Sequence, residues 1–141
     1  MAGETTTNLL DYTVPLISSI AAGHLVAQPH SVEIAATQME TNDITGVARI
    51  PKNSTLLGFF LQTDDLDSNG SEALVWSVLA GSTALKTGIT NANAQVGTFY
   101  ACVSGPLTVT ADTIINMKST TAAGTGAAGT INLTPVYVTS D

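Results

Sequence analysis

The sequence predicts an all-β chain folded as an antiparallel sandwich, jelly-roll or Ig-like, of about eight strands. Three observations predict it. Short apolar runs recur at a spacing of about 8–12 residues, with turn signals between them. Thr, Ala, Gly, Ser and Val dominate the composition, where helical proteins favour Glu, Lys and Leu. Charged residues make up only 11% of the 141, against 44% apolar. A single domain of this length can bury a substantial core.

Residues 1–30 differ from the rest. Leu9, Leu10, Tyr12, Leu16, Ile17 and Ile20 are separated by Pro15 and small polar residues, with no sustained period. They are too apolar for a free tail. The segment reads either as a first strand packed on its own domain or as an extended arm lying on a neighbouring subunit. We take it as an arm, which leaves residues 31–141 as the β-sandwich domain.

Residues 31–38 alternate, with Val32, Ile34 and Ala36 on one face, as in a half-buried strand. Thr41-Asn42-Asp43 is a turn, and residues 44–50 form a second strand that ends at Pro51. Residues 55–63 and 72–79 form the densest apolar pair, a hairpin that includes the single Trp, Trp76. Its first strand is apolar on both faces. Leu57, Phe59 and Leu61 point one way, Leu56 and Phe60 the other. The second face meets either another layer of the sandwich or another subunit.

In residues 82–97, Leu85, Ile89, Ala92 and Val96 fall at helical spacing and Ser82 is a plausible N-cap, so a short helical connection is predicted. Residues 98–103, 107–111 and 113–118 read as strands. The pattern slips by one residue near Asp112, as at a bulge or tight turn. Residues 120–129, TTAAGTGAAG, predict a mobile loop or hairpin tip. A last strand over 130–138 contains Pro135, which cannot donate to a ladder and predicts an edge or a bulge there.

Chemistry is sparse. Four basic residues face eleven acidic ones, a net charge of −7 that repels phosphate. Nucleic acid and anionic membranes are therefore not expected partners. No apolar run approaches the ~18 residues of a membrane helix. The N-terminus lacks a basic stretch ahead of an apolar one, which predicts folding in a cytoplasm. The lone Cys102 sits in an apolar run and reads as a small buried hydrophobe. His24 and His30 read as ordinary histidines, without zinc-ligand spacing. Asp65-Leu66-Asp67-Ser68-Asn69-Gly70 fits the opening of a calcium loop, with Asp65, Asp67 and Asn69 as a weak candidate site. Position twelve of that loop is Trp76 rather than Glu, so the motif is partial, and a solvated hairpin loop is the favoured reading. Neither an enzyme nor a cofactor is expected.

Larger features carry a resemblance. Ile50-Pro51-Lys52-Asn53-Ser54 leads into an apolar strand, and Leu66-Asp67-Ser68-Asn69-Gly70-Ser71 turns into Ala73-Leu74-Val75-Trp76-Ser77-Val78. A short Ala/Leu-containing connection follows near residues 82–94. Ala111-Asp112-Thr113-Ile114 then precedes a glycine-rich loop and the final strand. Over roughly residues 44–138 the chain resembles small β-sandwich virion proteins of tailed bacteriophages, of the capsid decoration (cement) or head- and tail-associated kind.

The resemblance implies a non-catalytic structural protein of the virion, made in the host cytoplasm and placed on the capsid surface. It would bind the major capsid protein, self-associate as a homodimer or homotrimer, and stabilise the lattice. In such proteins the acidic turn is usually only a turn. Contact would come from Leu9, Leu10, Tyr12, Leu16 and Ile17 of the arm and from Leu56 and Phe60 of the hairpin. The alternative is a tail or head fibre component, or a receptor-binding β-module that uses the loops near residues 91–97 and 120–129.

Overall fold

The computed structural model describes residues 24–90 and 97–139. Their strands, in chain order, are β1 (Leu25–Ala27), β2 (His30–Ile34), β3 (Ile44–Ile50), β4 (Ser54–Thr63) and β5 (Val75–Ala80). They continue as β6 (Thr83–Thr90), β7 (Thr98–Ala101), β8 (Leu107–Val109), β9 (Thr113–Thr121) and β10 (Gly129–Thr139). Two antiparallel sheets result. In the six-stranded sheet, β10 and β4 are central neighbours, flanked by β1 and β2 on one side and by β7 and β8 on the other. The four-stranded sheet runs β3-β9-β5-β6.

Alternation in the sequence builds the layer between them. Ile115 and Met117 on β9, Ile131, Leu133 and Tyr137 on β10, and Phe59, Leu61, Trp76 and Val78 share one buried core. Each such side chain, once removed from water, contributes about 1.5–3 kcal/mol. The sandwich is therefore held by many ordinary burials rather than by a special staple; its one cysteine, Cys102, is a free, buried thiol.

The all-β sandwich expectation is met, with corrections in detail. The described residues hold ten strands rather than about eight; the two additions are β1, at the end of the segment expected to be an arm, and β6, in place of the expected helical connection. The predicted helical connection is instead strand β6, hydrogen-bonded to β5. Leu85 and Ile89 are both buried on it. Spacing of i, i+4 satisfies a period of two as well as one of 3.6, so it could not separate helix from strand. Gly88, at φ +69°, puts a left-handed kink inside β6 where its register to β5 is irregular. Ala92 and Val96 lie outside the described residues.

Residues 36–38 are not strand but a short 3-10 turn after β2. The end of the predicted arm also belongs to the sheet, since β1 pairs with β10 at Leu25, Val26 and Ala27, and His30 pairs with Leu133. The slip near Asp112 is a turn that carries the chain from β8 in one sheet to β9 in the other. Pro135 does not mark an edge strand, because β10 runs between β4 and the β1/β2 pair. It falls at the break between β1 and β2, where β10 lacks a partner on that side. There the missing N–H costs little.

The apolar hairpin strand β4 is reorganised by a bulge. Leu56 pairs with Tyr137 and Gly58 with Val136, so Leu57 is an extra residue with no opposite number. The phase shifts by one. Leu56, Phe59 and Leu61 all turn inward, and Phe60 alone of the large apolar residues of β4 is exposed. Leu56, expected on an outer contact face, is fully buried in the core and offers nothing to a partner.

Candidate interaction surface

The outer face of the six-stranded sheet carries three of the large apolar residues that stay exposed among the described residues, Leu25, Phe60 and Phe99; Ile44 and Ile114 lie on the four-stranded sheet and Val103 in the loop after β7. Thr134, Phe60 and Phe99 lie side by side across β10, β4 and β7. The adjacent row is Ala27, Val136, Gly58 and Ala101, and beyond it Leu25 stands beside Val138. Phe60 and Phe99 are 48% and 45% exposed, and Leu25 is 65% exposed. The two phenyl rings meet at 4.9 Å between centroids, tilted by 55°.

Gly58 makes this arrangement possible. A Cβ there would stand 2.5 Å from Phe99 Cζ and 2.5 Å from the Tyr100 carbonyl oxygen. The missing side chain lets the Phe99 ring lie over the strand beside Phe60. The patch is bounded by polar residues. Thr55 and Thr108 share a hydrogen bond of 3.0 Å on one side, and Asn132 and Gln62 pair on the other. An apolar centre within a polar rim is the usual anatomy of a protein–protein contact.

Phe60, one of the residues expected to make contact, is exposed on this face. Phe99 was missed, although the run Thr98-Phe99-Tyr100-Ala101 alternates, because alternation does not say which face is buried. Tyr100 turns toward Phe59, at 5.5 Å between centroids, while Phe99 turns out. The other expected contact residues, Leu9, Leu10, Tyr12, Leu16 and Ile17, lie outside the described residues.

The acidic loop between β4 and β5 does something other than the calcium motif suggested. Asp67 is fully buried. Its Oδ1 accepts hydrogen bonds from the backbone N–H groups of Thr125 at 2.9 Å and Asn69 at 3.3 Å. Its Oδ2 accepts from Ala73 at 2.8 Å, Gly124 at 2.9 Å and Leu74 at 3.1 Å. Burial by itself pushes this carboxyl up, but the backbone donors of Thr125, Ala73, Gly124 and Asn69 outweigh it. The net result holds Asp67 far below the usual carboxylate range. An oxygen of Asp65 accepts from the Asp67 N–H, and Asn69 Oδ1 accepts from the Ser71 N–H. The candidate ligand oxygens thus serve turns and a clamp. Among the described residues no cluster of three or more His, Cys, Asp or Glu side chains could hold a metal.

The clamp anchors the glycine-rich loop, which the sequence predicted to be mobile. Ser68 donates from its N–H to the Thr125 carbonyl at 3.0 Å, and Ala127 donates to Leu66 at 3.1 Å. Gly126 passes so close to the β2–β3 connection that a Cβ would sit 2.4 Å from the Ala36 carbonyl oxygen. That connection is tied down in turn, because Ser119 Oγ donates to the Glu40 carbonyl. Asp67 is thus the fixed point of this end of the sandwich.

The remaining polar features are local. Arg49 and Asp112 form an exposed ion pair at 2.9 Å. The backbone N–H of Lys52 and the Arg49 side chain hold the Asp112 carboxyl below its usual range. Burial pushes the Cys102 thiol up, away from the reactive thiolate. His30 Nε2 is buried and has no hydrogen-bond partner among the described residues.

No protein-family model matches the sequence, and no curated protein matches it. Solved structures are similar in fold. A chain of the cyanophage Pam1 capsid asymmetric unit is similar with a TM-score of 0.73 and 22% identity, over 90% of this chain and 95% of that one. A chain of the capsid of Ralstonia phage GP4 is similar with a TM-score of 0.74 and 21% identity, over 86% of this chain and 88% of that one. The acidic stable capsid structure of Helicobacter pylori bacteriophage KHP30 contains a chain with a TM-score of 0.52 and 12% identity, over 84% of this chain and 94% of that one. At these identities the likeness is one of fold.

Proposed function

We propose that this protein is a structural component of a phage virion, and specifically a capsid decoration (cement) protein. It binds the major capsid lattice from outside and stabilises it, without catalysis. Its partners are the major capsid protein and further copies of itself, in a dimer or trimer. The observation that carries this reading is the apolar outer face around Phe60 and Phe99, which the fold leaves exposed on a charge-poor sandwich. The likeness of the fold to chains in three phage capsids supports it.

The mechanism is repeated burial. Each copy covers apolar surface at a junction between lattice subunits, and many weak contacts add across a closed shell. The expected arm of residues 1–30 is narrowed to the residues before His24, because β1 and His30 are paired into the sheet; in this reading Leu9, Leu10, Tyr12, Leu16 and Ile17 reach neighbouring subunits.

The test uses heads of the encoding phage prepared without this protein. Added protein should co-sediment with them at fixed stoichiometry and raise the temperature at which they release their DNA. Heads that neither bind it nor gain stability would sink the proposal. Binding to host cells in place of heads would favour the fibre or receptor-binding alternative.

A further inference from the structure

We propose that the outer face of the six-stranded sheet is the seat for the N-terminal segment of a second copy of this chain, through residues 9–20. The inference rests on the self-association in the reading above and assigns it a surface. Three observations lead to it.

First, the face needs an apolar occupant. Phe60, Phe99, Val136, Ala101, Leu25 and Val138 share it, and Thr and Asn/Gln residues bound it. Secondly, the sequence before the sheet supplies one. Leu9, Leu10, Tyr12, Val14, Leu16, Ile17 and Ile20 fall within twelve residues that contain one charge, Asp11. A charge-poor apolar segment matches a patch with no charge at its centre, and its polar Ser and Thr residues match the rim.

Thirdly, where the described chain begins it is heading off the end of its own sheet. β1 runs antiparallel to β10, and the Thr139 N–H still donates to the His24 carbonyl at 3.2 Å. At His24 the chain is therefore heading off the end of the sheet, past the last paired residues of β10. Phe60 and Phe99 lie on β4 and β7, two and three strands in from β1. Continuing outward needs no reversal. At about 3.3 Å per residue, residues 9–20 span roughly 40 Å, longer than β4 itself, so they can cross a neighbouring sheet. A chain that both presents this face and carries its occupant makes a head-to-tail contact, which closes into a ring when the rotation allows.

The test uses the full chain. Light scattering should give a discrete oligomer, and Phe60→Ser or Phe99→Ser should weaken it by about tenfold or more in dissociation constant. The β-sheet circular dichroism of both variants should stay unchanged, since both side chains are on the surface. Leu16→Cys with Phe99→Cys, joined by a short thiol cross-linker, should give covalent dimers or larger species. The single-cysteine variants are the controls, because Cys102 is buried.

A cross-linked product of single-chain size would overturn the inference in favour of docking on the same copy. An oligomer weakened by Leu16→Ser and Ile17→Ser but not by Phe60→Ser or Phe99→Ser would overturn this seat while leaving the arm in place. A full chain that stays monomeric at high concentration overturns both the seat and the self-association. Head binding is measured separately, so it distinguishes failure of the seat from failure of the decoration reading.

Discussion

At one end of the sandwich a carboxylate is fully buried, and on the outer face of the larger sheet two phenyl rings stand in water. Both depart from the usual distribution of polar and apolar groups. The difference lies in compensation. Asp67 receives backbone N–H groups from its own loop and from the glycine-rich loop, so its burial is settled inside the chain. Phe60 and Phe99 pack on each other and still remain 48% and 45% exposed. A departure that the chain compensates for itself is a structural device. One that it leaves open points outside the chain, to a partner.

The largest test of that contrast is Asp67→Asn. It keeps the volume but exchanges one acceptor oxygen for a donor aimed at N–H groups. Hydrogen bonds to a charged group would be lost and donors left unpaired, at a cost of about 2–4 kcal/mol. The upper end of the range for buried charges is not expected, because loops rather than the central core cover this carboxylate. Urea denaturation measures it; a change below about 0.5 kcal/mol would mean the clamp is dispensable.

The same residue sets a pH dependence. Its folded pKa is depressed, so the stability it contributes is complete above the ordinary carboxylate range. That stability is lost as pH falls below about 4 toward the folded value. The wild type should therefore lose more stability than Asp67→Asn between about pH 5 and pH 2. Parallel curves for the two proteins would assign the acid sensitivity to other groups.

Gly126→Ala probes the far side of the clamp. Its Cβ would meet a backbone oxygen that cannot swing away, for a loss of about 1–3 kcal/mol. Gly70→Ala in the acidic loop is the control, with nothing within 4 Å of the added atom. Equal thermal midpoints for the two variants would mean the glycine-rich loop is not packed as described.

Phe60→Ser should change stability by less than about 1 kcal/mol, since it forfeits one aromatic contact and no core. Its effect belongs in association. A large loss of monomer stability would make the face part of the fold and dissolve the comparison. The smallest expected effect is that of calcium. With the Asp67 oxygens taken by backbone donors, neither calcium nor EDTA should move the thermal midpoint.

The sequence by itself determined the class of fold. Strand-length apolar runs, a scarcity of charge and regular turn signals admit little other than a sandwich, because a period of two buries one face of each strand. It also set Phe60 on the face opposite Phe59 and Leu61 and marked the acidic segment as a turn. Where local information is degenerate, only the tertiary structure decided. Leu85 and Ile89 suit helix and strand alike until β5 is alongside to pair with them. Leu56 turns inward because Tyr137 and Val136 on a distant strand leave Leu57 unmatched. Asp67 reads from its neighbours in sequence as part of a solvated turn and only weakly as a metal ligand, yet two of its donors, Gly124 and Thr125, are 57 and 58 residues away. Phe99 and Tyr100 divide between solvent and core only when Phe60 and Phe59 lie opposite them. In a β-protein the register between strands assigns each side chain its face, and register is a property of pairs of segments that no single segment contains.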